Sequence, residues 1–202
     1  MRTTVVIVTF YKLLGGKMIT QTDFAILDFI QSIRTDFLDE IVPFITHLGD
    51  GGMLWIVVAI IMLCFGAYRR TGIRIFVSLA ISSVLFTLIM KELVARERPF
   101  NTLQGLLAAN ELLIEVPFGR YSFPSGHTLT SFASAFSIFL TNKKLGSIFL
   151  VIAALISLSR VYLYVHYPSD IIFGAIFGIL SALAVKYVED KLSARAGKRN
   201  RE

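Results

Sequence analysis

Five stretches of this chain carry no charged side chain: Met53–Tyr68, Ile75–Met90, Thr128–Thr141, Leu145–Ser159 and Ile171–Val185. Each is shorter than the roughly 20 apolar residues a helix needs to cross a bilayer. Each reaches that length only by drawing in its flanks, which sets polar side chains at the membrane surface. Charged residues make up 17% of the 202, where a soluble domain carries about 25%, and the mean hydropathy is +0.70. The fold class that follows is all-α: a polytopic helical membrane bundle of five to six transmembrane helices, plus an amphipathic N-terminal helix.

The formal net charge of +6 invites a nucleic-acid reading, but the distribution of the charge excludes it. Arg69, Arg70 and Arg74 lie between the first two uncharged stretches, and Lys143 and Lys144 between the third and fourth. Lys186, Lys191, Arg195, Lys198, Arg199 and Arg201 crowd the C-terminus. By the positive-inside rule these segments face the cytoplasm, which puts Ala95–Ser122 and Arg160–Asp170 outside. The basic balance is thus a topology signal, with some attraction to anionic lipid. The expected location is the inner or plasma membrane, multi-pass, with the site facing the extracytoplasmic side. Cys64, the single cysteine, excludes an intramolecular disulfide and a Cys/His zinc site, and is expected to be a packing residue.

Three regions organise the chain: residues 1–47 as an N-terminal segment, 48–188 as the membrane domain and 189–202 as a basic cytoplasmic tail. Thr3–Phe10 is apolar but short, either a signal-like stretch or a segment ahead of a true start at Met18, and whether it forms a span stays open. From Asp23 to Ile41 the residues Phe24, Leu27, Ile30, Ile33, Phe37 and Ile41 recur every three or four positions among Asp28, Arg34, Asp36, Asp39 and Glu40. That pattern is an amphipathic helix lying at the outer interface. Pro43 and the turn at Gly49–Gly52 then lead into the first span. Ala95–Ser122 mixes Leu106, Leu107, Leu112, Leu113 and Ile114 with Glu111, Glu115 and Arg120, as a loop lying over the membrane face would.

Three polar clusters fall on the same expected side. Lys91 and Arg98-Pro99 close the second stretch, seven positions apart and so on one face of a continuing helix. Pro99 disfavours helix at Arg98 and turns its side chain inward. Alone, this pair reads equally well as interfacial cations reaching water. Pro124-Ser125-Gly126-His127 opens the third stretch as a helix start, whose free N–H groups at Ser125, Gly126 and His127 favour an anion. Alone, it is a plain turn. Ser159-Arg160, His166 and Asp170 join the fourth stretch to the fifth. Pro168 begins a helix with Asp170 in its first turn, able to reach back to one ring nitrogen of His166 and leave the other free to attack. A lone interfacial histidine is more often structural. Together, however, Lys91, Arg98 and Arg160 bring three cations to an apolar boundary, where a bound phosphate would satisfy them. Positioned cations and N–H groups are what phosphoryl transfer requires. Arg96 and Glu97 receive no role.

Lys91, six residues, Arg98-Pro99; Pro124-Ser125-Gly126-His127; and Ser159-Arg160, five residues, His166, three residues, Asp170 resemble the tripartite signature of the type 2 phosphatidic acid phosphatase superfamily. The resemblance runs from about Leu48 to Tyr187. It implies a helical membrane enzyme acting through a phosphohistidine, with His166 as nucleophile, Asp170 as its orienting partner and His127 as the acid for the leaving oxygen. Lys91, Arg98, Ser125, Gly126 and Arg160 would bind phosphate, with no metal and no cofactor. The implied partners are a lipid phosphate and the bilayer. Candidate substrates are undecaprenyl diphosphate, phosphatidylglycerophosphate and phosphatidic acid. Gly126 stands where undecaprenyl-diphosphate specialists of this superfamily often carry Asp, which favours a broader phosphatase.

Two alternatives stay open on sequence: a phosphotransferase with an acceptor other than water, and a non-enzymatic anion transporter. The latter calls for charges through the spans, which are uncharged. Gly174 and Gly178, four apart, are expected to let helices pack closely. His47 is expected to cap or pack near the first span, and Tyr162, Tyr164 and Tyr167 to form an aromatic belt. The sequence does not set the oligomeric state.

Overall fold

The computed structural model describes residues 16–102, 112–114 and 120–199. The expectations for Thr3–Phe10, Leu106, Leu107, Glu111, Glu115 and Arg201 lie outside the described residues. The helices are α1 Gly16–Ser32, α2 Asp36–His47, α3 Met53–Cys64, α4 Arg69–Ile81, α5 Lys91–Val94, α6 Gly126–Phe139, α7 Lys143–Tyr162 and α8 Pro168–Arg199. A π-helical segment, Ser82–Met90, continues α4 into α5. Among the described residues the only β-type pairing is one bridge between Glu97 and Tyr121.

All five uncharged stretches fall largely in these helices, two of them running into the turns after α3 and α6. Two, Lys143–Tyr162 and Pro168–Ala196, are long and apolar enough to cross a membrane alone. Asp36–His47 with Asp50–Cys64 makes a third if that pair, bent by 42°, is one span. By length and composition two or three spans are clear among the described residues, and the expected count of five to six is not shown.

The packing follows a membrane pattern. Along α7, Ile148, Val151, Leu155 and Leu158 point outward, and along α8 Ile172, Ile176, Leu180 and Leu183 do the same. The buried faces instead carry small residues, including Ser131, Ala133, Ser134 and Ser137 of α6. Lipid tails are as apolar as leucine, so helices associate here through close backbone approach and hydrogen bonds. Gly178 supplies that approach: a Cβ there would lie 2.5 Å from the Leu129 carbonyl. At Gly174 it would lie 3.1 Å from the Ser125 carbonyl. The seam between α6 and α8 thus matches the expectation for these glycines. Trp55 of α3 donates its indole N–H to Ser131 Oγ at 2.9 Å, both groups buried.

Several local expectations change. The amphipathic stretch is two helices: α1 stops at Ser32, and Thr35 caps α2 by accepting from the Leu38 N–H. Pro43 lies inside α2 rather than after it. Only Phe24 and Leu27 of the expected apolar face are buried, while Ile33, Phe37 and Ile41 are exposed. Cys64 is exposed at the end of α3, not packed. Tyr162, Tyr164 and Tyr167 are buried in the core around α1 rather than forming a belt, because their polar tips find partners there. The Tyr162 hydroxyl donates to Asp39 and that of Tyr164 to Asp28. Arg74 is no free interfacial cation: it is buried and donates to Glu189 of α8 at 2.7 Å.

Candidate active site

The chain is antiparallel, so the start of α6, the end of α7, the start of α8 and the segment after α5 meet at one end of the bundle. There they enclose a cavity of about 880 Å³ lined by Lys91, Arg98, Gly126, His127, Arg160 and His166, with the turn Gly49–Gly52 on the far wall. Leu113 and Ile114 of the long loop also line it.

Lys91 and Arg98 reach the cavity by a route other than the continuing helix expected. The helix ends at Val94, and Ala95 adopts φ 49°, a left-handed turn. Arg98 is extended before Pro99, as the proline requires. Its Nη1 donates to the Val165 carbonyl at 3.0 Å and to His166 Nε2 at 3.3 Å. Arginine can only donate, so Nε2 accepts and the ring proton sits on Nδ1. That Nδ1 faces Asp170 Oδ2 at 3.4 Å, longer than an ordinary hydrogen bond.

The chain delivers His166 by a strained turn. Tyr164, with φ 60°, occupies the left-handed region that bulky residues avoid. The N–H groups of Val165 and His166 then fold back onto the Arg160 carbonyl. α8 begins at Pro168 and carries Asp170 in its first turn. His166 is wholly enclosed, and burial, with Arg98, Arg160 and Lys91 nearby, holds its pKa well below the usual 6.5. The imidazole is neutral at neutral pH, the state a nucleophile needs.

Arg160 is buried and donates to Thr46 Oγ1 at 2.5 Å. Its Nε is buried without a partner among the described residues. An unmet guanidinium donor beside two other cations suits an anion's oxygens. The Ser125 N–H, expected to be free, is not. Its N–H donates to the Asp170 carbonyl at 3.3 Å and its hydroxyl accepts from Thr128, so Ser125 caps α6 rather than leaving its N–H free. The helix itself starts at Gly126, not at Pro124.

Sequence reasoning missed three residues. Asp50, read only as part of a turn, accepts from His127 Nε2 at 2.9 Å and from His47 Nδ1 at 2.7 Å. His47 is exposed and its ring is held by Asp50, just before α3. Arg96, given no role, is buried and donates to Asp170 Oδ1 at 2.8 Å and to Asp23 Oδ2 at 2.7 Å. Arg96 was the most readable of the three, because an arginine two residues before the Arg-Pro pair could have been asked for a partner. Asp23, read as part of an amphipathic face, was not readable in this way. Among the described residues no group of three or more His, Cys, Asp or Glu side chains is placed to hold a metal ion.

A helical membrane protein with a cation-lined cavity around a carboxylate-backed histidine is the class that this fold and site define. The sequence model of the PAP2 superfamily matches residues 71–194. The chain belongs to the PAP2 superfamily. It is 31% identical to an undecaprenyl-diphosphatase of Sulfolobus acidocaldarius, over 92% of this chain and 91% of that one. It is 43% identical to the bacitracin transport permease protein BcrC of Bacillus licheniformis, a match spanning 52% of this chain and about half, 49%, of that protein. Among solved structures, the transmembrane PAP2-type phosphatidylglycerolphosphate phosphatase of Bacillus subtilis superposes with a TM-score of 0.71. That superposition covers 95% of this chain and 98% of that one, at 25% identity.

Proposed function

We propose that the protein is a membrane lipid phosphatase that hydrolyses a lipid phosphate or diphosphate through a phosphohistidine at His166, without a metal. The observation that carries this reading is the buried His166, its Nδ1 facing Asp170 and its Nε2 beside Arg98 in a cavity that also holds Arg160, Lys91 and His127. Phosphate entering the cavity takes the donors of Arg98 and Arg160, and the Nε2 lone pair forms the N–P bond. Burial beside Arg160 lowers the His127 pKa to about 4, so His127 takes up its proton with the anionic phosphate, Asp50 on its Nε2. The P–O bond to the lipid side breaks as His127 gives that proton to the departing oxygen. Water then attacks the phosphohistidine, losing its proton to the now neutral His127. The N–P bond breaks, and inorganic phosphate leaves. The cations stabilise the charge spread over the phosphoryl oxygens in both transition states.

The names of the two full-length relatives support undecaprenyl diphosphate and phosphatidylglycerophosphate as substrates; phosphatidic acid shares their chemistry. The cavity's place at the end of the bundle suits a headgroup whose tails stay in the bilayer. Exposed Arg69, Arg70, Lys143 and Lys144 mark the opposite end, so the positive-inside rule puts the cavity on the extracytoplasmic side of the cell membrane.

Phosphate release by purified protein in detergent with EDTA, for wild type and His166→Ala, tests the reading. Release from either lipid that vanishes in the variant is expected. Activity that survives in His166→Ala, or that EDTA abolishes in wild type, would overturn it.

A further inference from the structure

The helix α1 lies outside the segment that the family model matches, yet between Asp23 and Gln31 it grips the turn that carries His166. Gln31 donates to the Tyr162 carbonyl, Asp28 accepts from the Tyr164 hydroxyl, and Phe24 meets the Tyr167 ring edge-on at 5.4 Å. Asp23 Oδ1 accepts from the Ser169 N–H at 2.9 Å, and its Oδ2 from the Ser169 hydroxyl at 2.6 Å. These contacts cross 131 to 146 positions of sequence.

Arg96 joins this grip to the reacting pair. Its Nη2 meets Asp23 Oδ2, and its Nη1 is shared between Ser169 Oγ at 2.7 Å and Asp170 Oδ1 at 2.8 Å. Its guanidinium carbon sits 3.6 Å from the centre of the Tyr167 ring. The Tyr167 N–H takes the other oxygen of Asp170, Oδ2, at 3.0 Å. Both carboxylate oxygens are thus pinned, and Asp170 cannot rotate away from His166. We infer that Arg96 and Asp23 are positioning residues for the His166–Asp170 pair, which makes the N-terminal helix part of the catalytic assembly.

The chemical reason is the location of one proton. A carboxylate paired with a guanidinium has less affinity for a proton than a lone buried one. With Arg96 on Oδ1, the proton stays on His166 Nδ1, and the Nε2 lone pair stays available for attack. Asp23 fixes Arg96 in turn and balances its charge, because a buried cation with one partner missing is costly. Weakening either residue lets Asp170 turn or take the proton, and the ring then samples the other tautomer.

The inference rests on the proposed phosphatase reading for its kinetic arm only. The charged and titratable groups facing the pair are Asp23 of α1, Lys91, Arg96, Arg98, His127 of α6 and Arg160 of α7. The first measurement is nitrogen NMR of histidine-labelled full-length protein in detergent, with the His166 signal assigned by its loss in His166→Asn. Wild type should show a neutral ring protonated on Nδ1 between pH 6 and 8, as about the physiological range of a histidine switch. Asp23→Asn should shift that signal toward a tautomer average. It should also lower kcat on phosphatidylglycerophosphate about 10- to 100-fold, the usual effect of losing an orienting partner, with KM nearly unchanged. Arg96→Lys, which keeps the charge but not the fork, should fall between wild type and Arg96→Met. If Arg96→Met does not fold, Asp23→Asn decides alone. Variants that keep the Nδ1 tautomer, or whose kcat falls only in step with Tm, would overturn the inference. If wild type releases no phosphate, the phosphatase reading fails, and the tautomer signal still decides this one.

Discussion

A Cβ added at Gly49 would lie 2.6 Å from His127 Cδ2 and 2.7 Å from Ile156 Cγ2. His127 cannot retreat without moving its ring off Asp50, and Ile156 is wholly buried. Gly49→Ala is therefore predicted to lower phosphate release about 10- to 100-fold, since displacement by about 1 Å costs that much at a reacting centre. A fully active Gly49→Ala would show that the ring position does not matter. The His166 environment sets a pH dependence with a definite sign. Its folded pKa lies well below 6.5, so the nucleophile stays neutral as pH falls through 6.5, and the acid limb due to His166 lies lower. The unfolded chain takes up that proton first, so His166 also makes the fold less stable as pH drops below 6.5. A profile of kcat/KM against pH and Tm at matched pH values check both statements. At this scale the spacing of Lys91, Arg98, His127, His166 and Asp170 was legible, because local motifs carry it. Asp50 and Asp23 were not, because their partners lie 77 and 146 positions away and no local pattern announces them.

The helices were legible as elements because uncharged runs and their polar flanks mark them. The ends of those helices were harder to read. Thr35 ends the apparent continuity of α1 and α2 with a capping bond that the apolar period conceals. The left-handed residue at Ala95 breaks the second stretch just where a continuing helix was expected. The glycines of α8 were read correctly, since small residues four apart make a close face. Gly178→Ala would place its Cβ 2.5 Å from the Leu129 carbonyl and 2.9 Å from the Ala133 nitrogen, both backbone atoms that cannot swing aside. A loss of about 1–3 kcal/mol is expected, the usual effect of overpacking. Gly66→Ala is the matched control, since a Cβ there meets nothing within 4 Å. Thermal unfolding in detergent should separate the two, and equal Tm values would contradict the seam as described.

The whole molecule has two polar ends with different work. At one end the cavity gathers its cations. At the other, Arg74 of α4 is tied to Glu189 of α8 and to the Ser137 carbonyl of α6. Charge counts alone merged Arg74 with the exposed basic residues, because composition does not distinguish a buried pair from a topology signal. Glu189→Gln leaves the buried guanidinium short of its anion. It should cost about 1–3 kcal/mol of stability while leaving KM for the lipid unchanged; a raised KM without a change in Tm would instead tie this end to substrate. Orientation is tested with single cysteines in a Cys64→Ala background. Lys143→Cys should react only from the cytoplasm and Arg120→Cys only from outside, and the reverse pattern would invert the topology. The central claim is the covalent phosphohistidine. Rapid acid-free quenching of wild type turning over a phosphate-labelled lipid, followed by peptide mass spectrometry, should find an alkali-stable, acid-labile phosphoryl group on His166. That group should be absent from His166→Asn and should persist longer in wild type when water attack is slowed at low temperature. Turnover with no phosphoryl group on His166, or with one on another residue, would contradict the account.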